Sequence, residues 1–158
     1  MMSTLHKKHA NIVGTKLTCA SVGKITRLAA EFDKTEFAVF GGQSDFLISG
    51  MAVGSAGAIS GFANVCPKTV KRVYDLYVQG KTAEALKMHQ TAAFAEVIGK
   101  SGIANTKYGA SLTSAKAAGI QGAEEKLRPR RPYEALSEAQ KADVRGIIAD
   151  TVKIEESL

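Results

Sequence analysis

Asn11-Ile12-Val13-Gly14-Thr15-Lys16-Leu17-Thr18-Cys19 is the stretch on which the fold turns. Its β-branched residues read as a strand. Outward from it the pattern alternates. Ser21 is placed to cap a helix through Val22, Ile25, Leu28 and Ala29, whose spacing makes one apolar face. Phe37-Ala38-Val39-Phe40 is an all-apolar run stopped by Gly41-Gly42, as expected of a strand buried on both faces in a parallel sheet. Asp45 to Val53 is helix-like, with Gly54 as its stop. Gly57-Ala58-Ile59-Ser60-Gly61-Phe62 reads as a third strand. Pro67 then opens a helix with Val70, Val73, Tyr74 and Tyr77 as its inner face. Three successive βα units imply a parallel sheet with right-handed crossovers.

After Phe62 the strand signals stop. Thr82 to Ile98 is Ala-rich and helical, Gly99-Lys100-Ser101-Gly102 is a turn, and Asn105 to Ala118 is a further helix. Gln121 to Pro132 is an irregular basic connection. Ser137-Glu138-Ala139-Gln140 is a capping box for a helix reaching about Lys153 through Val144, Ile147, Ile148 and Val152. The fold class expected is α/β, with residues 1–80 carrying the βα units and residues 81–158 forming an all-helical extension.

The composition is that of a folded domain. Of 158 residues, 45% are hydrophobic and 23% charged, which excludes a disordered chain. Apolar runs are broken before they could span a bilayer, and the N-terminal residues lack the apolar core of a secretory signal, so no membrane partner is expected. Cys19 and Cys66 make no disulfide framework and read as reduced, partly buried thiols in a reducing compartment; the expected location is the cytoplasm, with the mitochondrion as the alternative. The net charge of +6 suits small carboxylate substrates. The cluster Arg128-Pro129-Arg130-Arg131-Pro132 has no interleaved aromatic residues, so nucleic acid is not an expected partner.

Lys16 is the most informative residue. Alternation places Ile12, Gly14, Lys16 and Thr18 on one strand face. A lysine at the C-terminal end of an apolar strand has two readings. If buried, its amine is pushed toward the neutral form, a nucleophile that forms a Schiff base with a ketone. Otherwise it snorkels out of the strand end. The Gly41-Gly42-Gln43-Ser44 turn lies at the same end, where glycines admit close approach to the backbone and Ser44 either meets a carboxylate or caps the next helix. Ile59-Ser60-Gly61 ends the third strand. The glycines form no nucleotide-binding loop. His6, His9 and His89 are too dispersed for a metal site, and no nucleophile elbow is present.

These residues carry a resemblance. Asn11 to Cys19 resembles the Schiff-base strand of the dihydrodipicolinate synthase/N-acetylneuraminate lyase family. Phe40-Gly41-Gly42-Gln43-Ser44-Asp45 is similar to that family's seventh-strand turn, and Gly54 to Val65 to its eighth strand. Lys126 to Tyr133 resembles the stretch before its last helix. Within the family, Gly14-Thr15-Lys16-Leu17-Thr18-Cys19 looks more like the 4-hydroxy-2-oxoglutarate and 2-keto-3-deoxy-sugar-acid aldolases, including the fungal deoxyhexulosonate type. The synthase branch usually has an acidic residue where Leu17 stands, and prolines near Asn105 to Tyr108.

The resemblance implies strands six to eight of a TIM (β/α)8 barrel followed by the helical extension. It implies a pyruvate-dependent class I aldolase that cleaves a 2-oxo acid to pyruvate and an aldehyde. Lys16 would form the covalent imine with no other cofactor, Gly42 and Ile59 would line the pyruvate pocket, and Ser44 would sit beside it. Family members are usually homo-oligomers. Strands one to five of the family barrel, with their carboxylate-binding turn and proton-relay tyrosine, have no counterpart here. Tyr74, Tyr77, Tyr108 and Tyr133 do not stand in the tyrosine's place. A general acid/base supplies roughly 10²–10⁴-fold, so Lys16 alone is expected to be a poor catalyst. Three strands cannot close a barrel, and the sheet edge beside Asn11-Ile12-Val13 is expected to pair with another chain. The alternatives are a dihydrodipicolinate synthase, a non-catalytic fragment acting through oligomerisation and, weakest, a basic anion- or nucleic-acid-binding module.

Overall fold

The computed structural model describes all 158 residues, which divide into two units, Met1–Ser60 and Gly61–Leu158. In the first, helix α1 (Met2–Lys8) precedes strand β1 (Gly14–Leu17), helix α2 (Val22–Glu31), strand β2 (Ala38–Gly41), helix α3 (Leu47–Ala52) and strand β3 (Gly57–Ala58). The three strands form one parallel sheet in the order β1-β2-β3. β1 is shorter than the β-branched stretch. A turn from His9 to Ile12 precedes it, and Ala20, at φ +55, swings the chain into α2. The Ser21 hydroxyl caps α2 by accepting from Lys24 N at 3.3 Å.

One face of the sheet is closed by apolar packing. Ile25 from α2 packs with Phe37, Val39 and Phe46, joined by Ile12, Leu17, Leu28, Phe32 and Val53. Full burial of such side chains contributes about 1.5–3 kcal/mol each. Gly54 stops α3 as expected, for two reasons. Its φ is +103, and a Cβ there would lie 2.7 Å from Ala29 Cβ.

The third strand corrects the sequence reading. The strand itself is just Gly57–Ala58, with one further bond from Ile59 to β2, and Phe62 opens a turn of 3-10 helix, Phe62–Asn64. Phe62 is an apolar residue of the second unit's core, not of the sheet.

The second unit is all helical: α4 (Pro67–Val78), α5 (Thr82–Ala95), α6 (Val97–Lys100), α7 (Ile103–Leu112), α8 (Ser114–Ala117), α9 (Ala123–Lys126) and α10 (Glu138–Ser157). Pro67 takes the first turn of α4, where its missing N–H is harmless. Thr69, Val73 and Leu76 form the buried face, while Val70, Tyr74 and Tyr77 are only half-buried, so the stripe lies one position round from that expected. Gly80, at φ +76, ends the helix, with Lys81 N donating to Leu76 O and Gly80 N to Tyr77 O. α4 packs against α5 and α10. Phe62, Val65, Cys66, Ile98, Tyr108, Val144 and Ile148 anchor the core.

The helix expected over Asn105 to Ala118 is broken at Thr113, whose φ and ψ are −119° and −93°. The hydroxyls of Thr113 and Ser114 donate to the Val65 and Asn64 carbonyls, bonds that a straight helix would not reach. Gly99 and Lys100 fall in α6 rather than in a turn, and the basic connection contains the single turn α9. The capping box is present: Ser137 Oγ accepts from Gln140 N, and Gln140 Oε1 accepts from Ser137 N at 2.9 Å. The helix it starts runs on to Ser157, with Val144 and Ile148 buried and Ile147 exposed.

Candidate functional site

Strand register decides which side chains meet. Lys16 pairs with Phe40, and Phe40 with Gly57, so these three positions share one sheet face. Leu17 and Val39 point the other way, into the core beneath α2. Lys16 therefore stands on the face that α2 does not cover, and its side chain is exposed. Of the two readings of this lysine, the exposed strand-end side chain is the one observed.

Gly42 sits where the ends of β1 and β2 close together. Its N–H donates to Leu17 O at 2.8 Å. A Cβ at this position would lie 2.3 Å from Thr18 Oγ1 and 2.5 Å from Thr18 Cα, so only glycine fits. On the other side, Ile59 N donates to Gly41 O at 2.8 Å and extends the pairing one residue past β3. Ile59 is 50% exposed and follows Gly57 in the alternation that places it on the face of Lys16. Lys16, Gly42 and Ile59 thus stand at the C-terminal ends of three neighbouring parallel strands.

Ser44 is 3% exposed, and its Oγ lies 3.2 Å from Ser60 Oγ. It gives its carbonyl to Leu47 N at the start of α3, a helix with no side-chain cap. The two hydroxyls tie the turn after β2 to the segment after β3.

Two residues that hold these strands together, Ser55 at their N-terminal end and Thr18 at their C-terminal end, were not singled out in the sequence. Ser55 is buried, with Oγ 3.0 Å from Val39 O and 2.7 Å from Gly57 O, and it accepts from Gly57 N. It braces β2 against β3. The signal for it was a lone hydroxyl in the glycine-flanked stretch Gly54-Ser55-Ala56-Gly57. Thr18 fills the space that Gly42 leaves open, a role readable only from three-dimensional proximity.

Other candidates lie elsewhere. The His6 ring packs edge-on against Phe32 and Phe37, with Nδ1 2.8 Å from Ile12 O. No group of three or more His, Cys, Asp or Glu side chains is arranged to hold a metal ion. Arg128 pairs with Glu125 at 3.1 Å on the surface. Cys19 is exposed, whereas burial, helped by the nearby Glu155 carboxylate, pushes the Cys66 thiol up to about 12. No helix is long and apolar enough to cross a membrane.

Comparison with known proteins supplies the family. The chain matches the dihydrodipicolinate synthetase family over residues 1–151. It is 60% identical over its whole length to a Coccidioides immitis (strain RS) protein named as a mitochondrial 4-hydroxy-2-oxoglutarate aldolase, covering 50% of that protein. It is 36% identical over 159 residues to the L-threo-3-deoxy-hexylosonate aldolase of Hypocrea jecorina, covering 96% of this chain and 48% of that one. A crystal structure of a dihydrodipicolinate synthase family protein from Coccidioides immitis superimposes with a TM-score of 0.93 at 58% identity, over 99% of this chain and 51% of the other. A prophage protein of the dihydrodipicolinic acid synthase family from E. coli K12, solved with pyruvate, shares the fold with a TM-score of 0.76 at 21% identity, over 94% and 49%. The chain spans about half the length of the relatives it matches. Its parallel βα units correspond to part of that family's (β/α)8 barrel, and its helices to the extension that follows. A parallel sheet with a lysine and a glycine turn at its C-terminal end, matched along nearly the whole sequence, places this chain in the dihydrodipicolinate synthetase family.

Proposed function

We propose that the chain carries the lysine half of a class I aldolase site, which cleaves a 2-oxo acid to pyruvate and an aldehyde. The observation that carries this reading is the position of Lys16. It stands on the uncovered sheet face at the strand ends, beside a turn that only Gly42 fits. Active sites of βα barrels gather at that end.

In the proposed chemistry the Lys16 amine, after giving up a proton, attacks the substrate ketone carbon, and the carbonyl oxygen leaves as water to give an iminium. The iminium draws in the electron pair of the breaking C–C bond while the hydroxyl on the departing carbon gives its proton to water, and an aldehyde departs. The enamine is then protonated and hydrolysed, which returns pyruvate and the free lysine. Gly42 and Ile59 line the pyruvate side of the site, and Ser44 sits beside it. No cofactor beyond the lysine is invoked. The aldolase branch is favoured over the synthase by Leu17 after the lysine and by the names of the two relatives described above.

Residues 1–80 are read as the barrel portion, corresponding to strands six to eight, and residues 81–158 as the extension. β1 and β3 both lie at sheet edges, which supports pairing with a further chain, including a second copy. The mitochondrial name of the Coccidioides relative favours that compartment over the cytoplasm. The test is reductive trapping: pyruvate with borohydride should add one adduct at Lys16, and Lys16→Ala should abolish it. Trapping that persists in Lys16→Ala refutes the assignment.

A further inference from the structure

α4 begins with no side-chain cap from its own flank. Its first donors are taken instead by Glu155, in the last turns of α10. One carboxylate oxygen, Oε1, accepts from Lys68 N at 3.0 Å. The other, Oε2, accepts from Thr69 N at 2.7 Å and from Thr69 Oγ1 at 2.8 Å. Glu155 is 7% exposed, an uncommon place for a carboxylate. Its three bonds explain that burial, because an ionised acceptor makes each of them stronger than a neutral bond and the helix start favours negative charge.

Cys66 immediately precedes this turn, before Pro67, and is 0% exposed within the core. On its N-terminal side the chain is already fixed, since Thr113 and Ser114 hold the Val65 and Asn64 carbonyls. On its C-terminal side α4 is anchored by Val73 and Leu76. The piece between, Cys66–Thr69, is held across to α10 by Glu155.

We infer that Glu155 is a carboxylate latch reaching from the C-terminal helix to the start of α4, and that its release is the local opening which exposes the Cys66 thiol. Closed, the latch keeps Cys66 out of reach. Open, it delivers a thiol free to react as an ordinary cysteine. The C-terminal turn thereby governs whether this unit is sensitive to thiol reagents and oxidants.

The test uses the full chain with Cys19→Ser, so that Cys66 is the one thiol. The probe is an aromatic disulfide reagent: the Cys66 thiolate attacks one sulfur, joins that half, and releases the other half as a coloured thiolate. In native buffer labelling should be slow and nearly independent of low urea, as expected when a small local opening limits it. Glu155→Gln should accelerate it roughly ten- to a hundredfold, in keeping with loss of charge-assisted bonds. Thr69→Val, which removes one donor and keeps both amides, should accelerate it by a smaller factor. The latch is overturned if both variants label at the parent rate. It is also overturned if labelling accelerates with urea in step with the loss of global stability, because exposure would then require complete unfolding.

Discussion

Gly42→Ala probes the closure of the strand ends. An added Cβ would meet Thr18 Oγ1 at 2.3 Å, Thr18 Cβ at 2.7 Å and Thr18 Cα at 2.5 Å. The first two contacts belong to a side chain that can rotate or be removed. The third is backbone. Ordinary contact requires β1 and β2 to part there by about 1 Å, which lengthens the 2.8 Å bond from Gly42 N to Leu17 O beyond hydrogen-bonding range. Overpacking of this kind costs about 1–3 kcal/mol, and the lost bond about 0.5–1.5 kcal/mol. The expected destabilisation is therefore about 2–4 kcal/mol, read as a lower urea midpoint at unchanged slope. Adding Thr18→Gly to Gly42→Ala should recover less than half of it, because the Cα conflict remains. Gly61→Ala is the control: its Cβ would meet nothing within 4 Å. A Gly42→Ala protein within about 0.5 kcal/mol of the parent, the usual scatter of innocuous substitutions, would show that the strand ends tolerate a Cβ there. Full rescue by Thr18→Gly would show that the backbone at position 18 tolerates it.

Gly146, inside α10 with open space around its Cβ position, should be improved by Ala. Gly146→Ala is expected to stabilise by about 0.5–1 kcal/mol, measured by urea unfolding. The raised Cys66 thiol makes stability depend on pH. Its proton is held to about 12 in the folded chain against 9.0 ordinarily, so above pH 9 the unfolded chain loses a proton that the folded chain keeps. The contribution is complete below pH 9 and is lost as pH rises toward 12. Unfolding free energies of the parent and of Cys66→Ala, compared between pH 8 and 11, should show the steeper decline in the parent; parallel curves would contradict it.

Much of the fold was legible because local chemistry and long-range packing agree. Ser21, Gly54, Pro67 and the Ser137–Gln140 box mark element ends by their own hydrogen bonding or backbone geometry, and each does so in the structure. The errors arose where a distant partner decides the outcome. Phe62 reads as the end of a strand by composition, yet it belongs to a helical core. Nothing in Asn105 to Ala118 announces the break at Thr113, which is set by carbonyls of Asn64 and Val65. Glu155 looks like a solvent-facing helix residue until the start of α4 is placed beside it. At the candidate site, Lys16, the glycine turn and Ile59 were named from strand alternation and family resemblance. Thr18 and Ser55 were not, because their roles come from contacts between strands.

In the proposed function, Lys16 is the residue that engages a ketone. The most direct measurement is the intact mass and peptide map of the folded 158-residue chain after treatment with pyruvate and borohydride. One reduced pyruvate adduct is expected on the peptide containing Lys16, absent from Lys16→Ala. No adduct on the folded chain, or an adduct on another lysine, would contradict it.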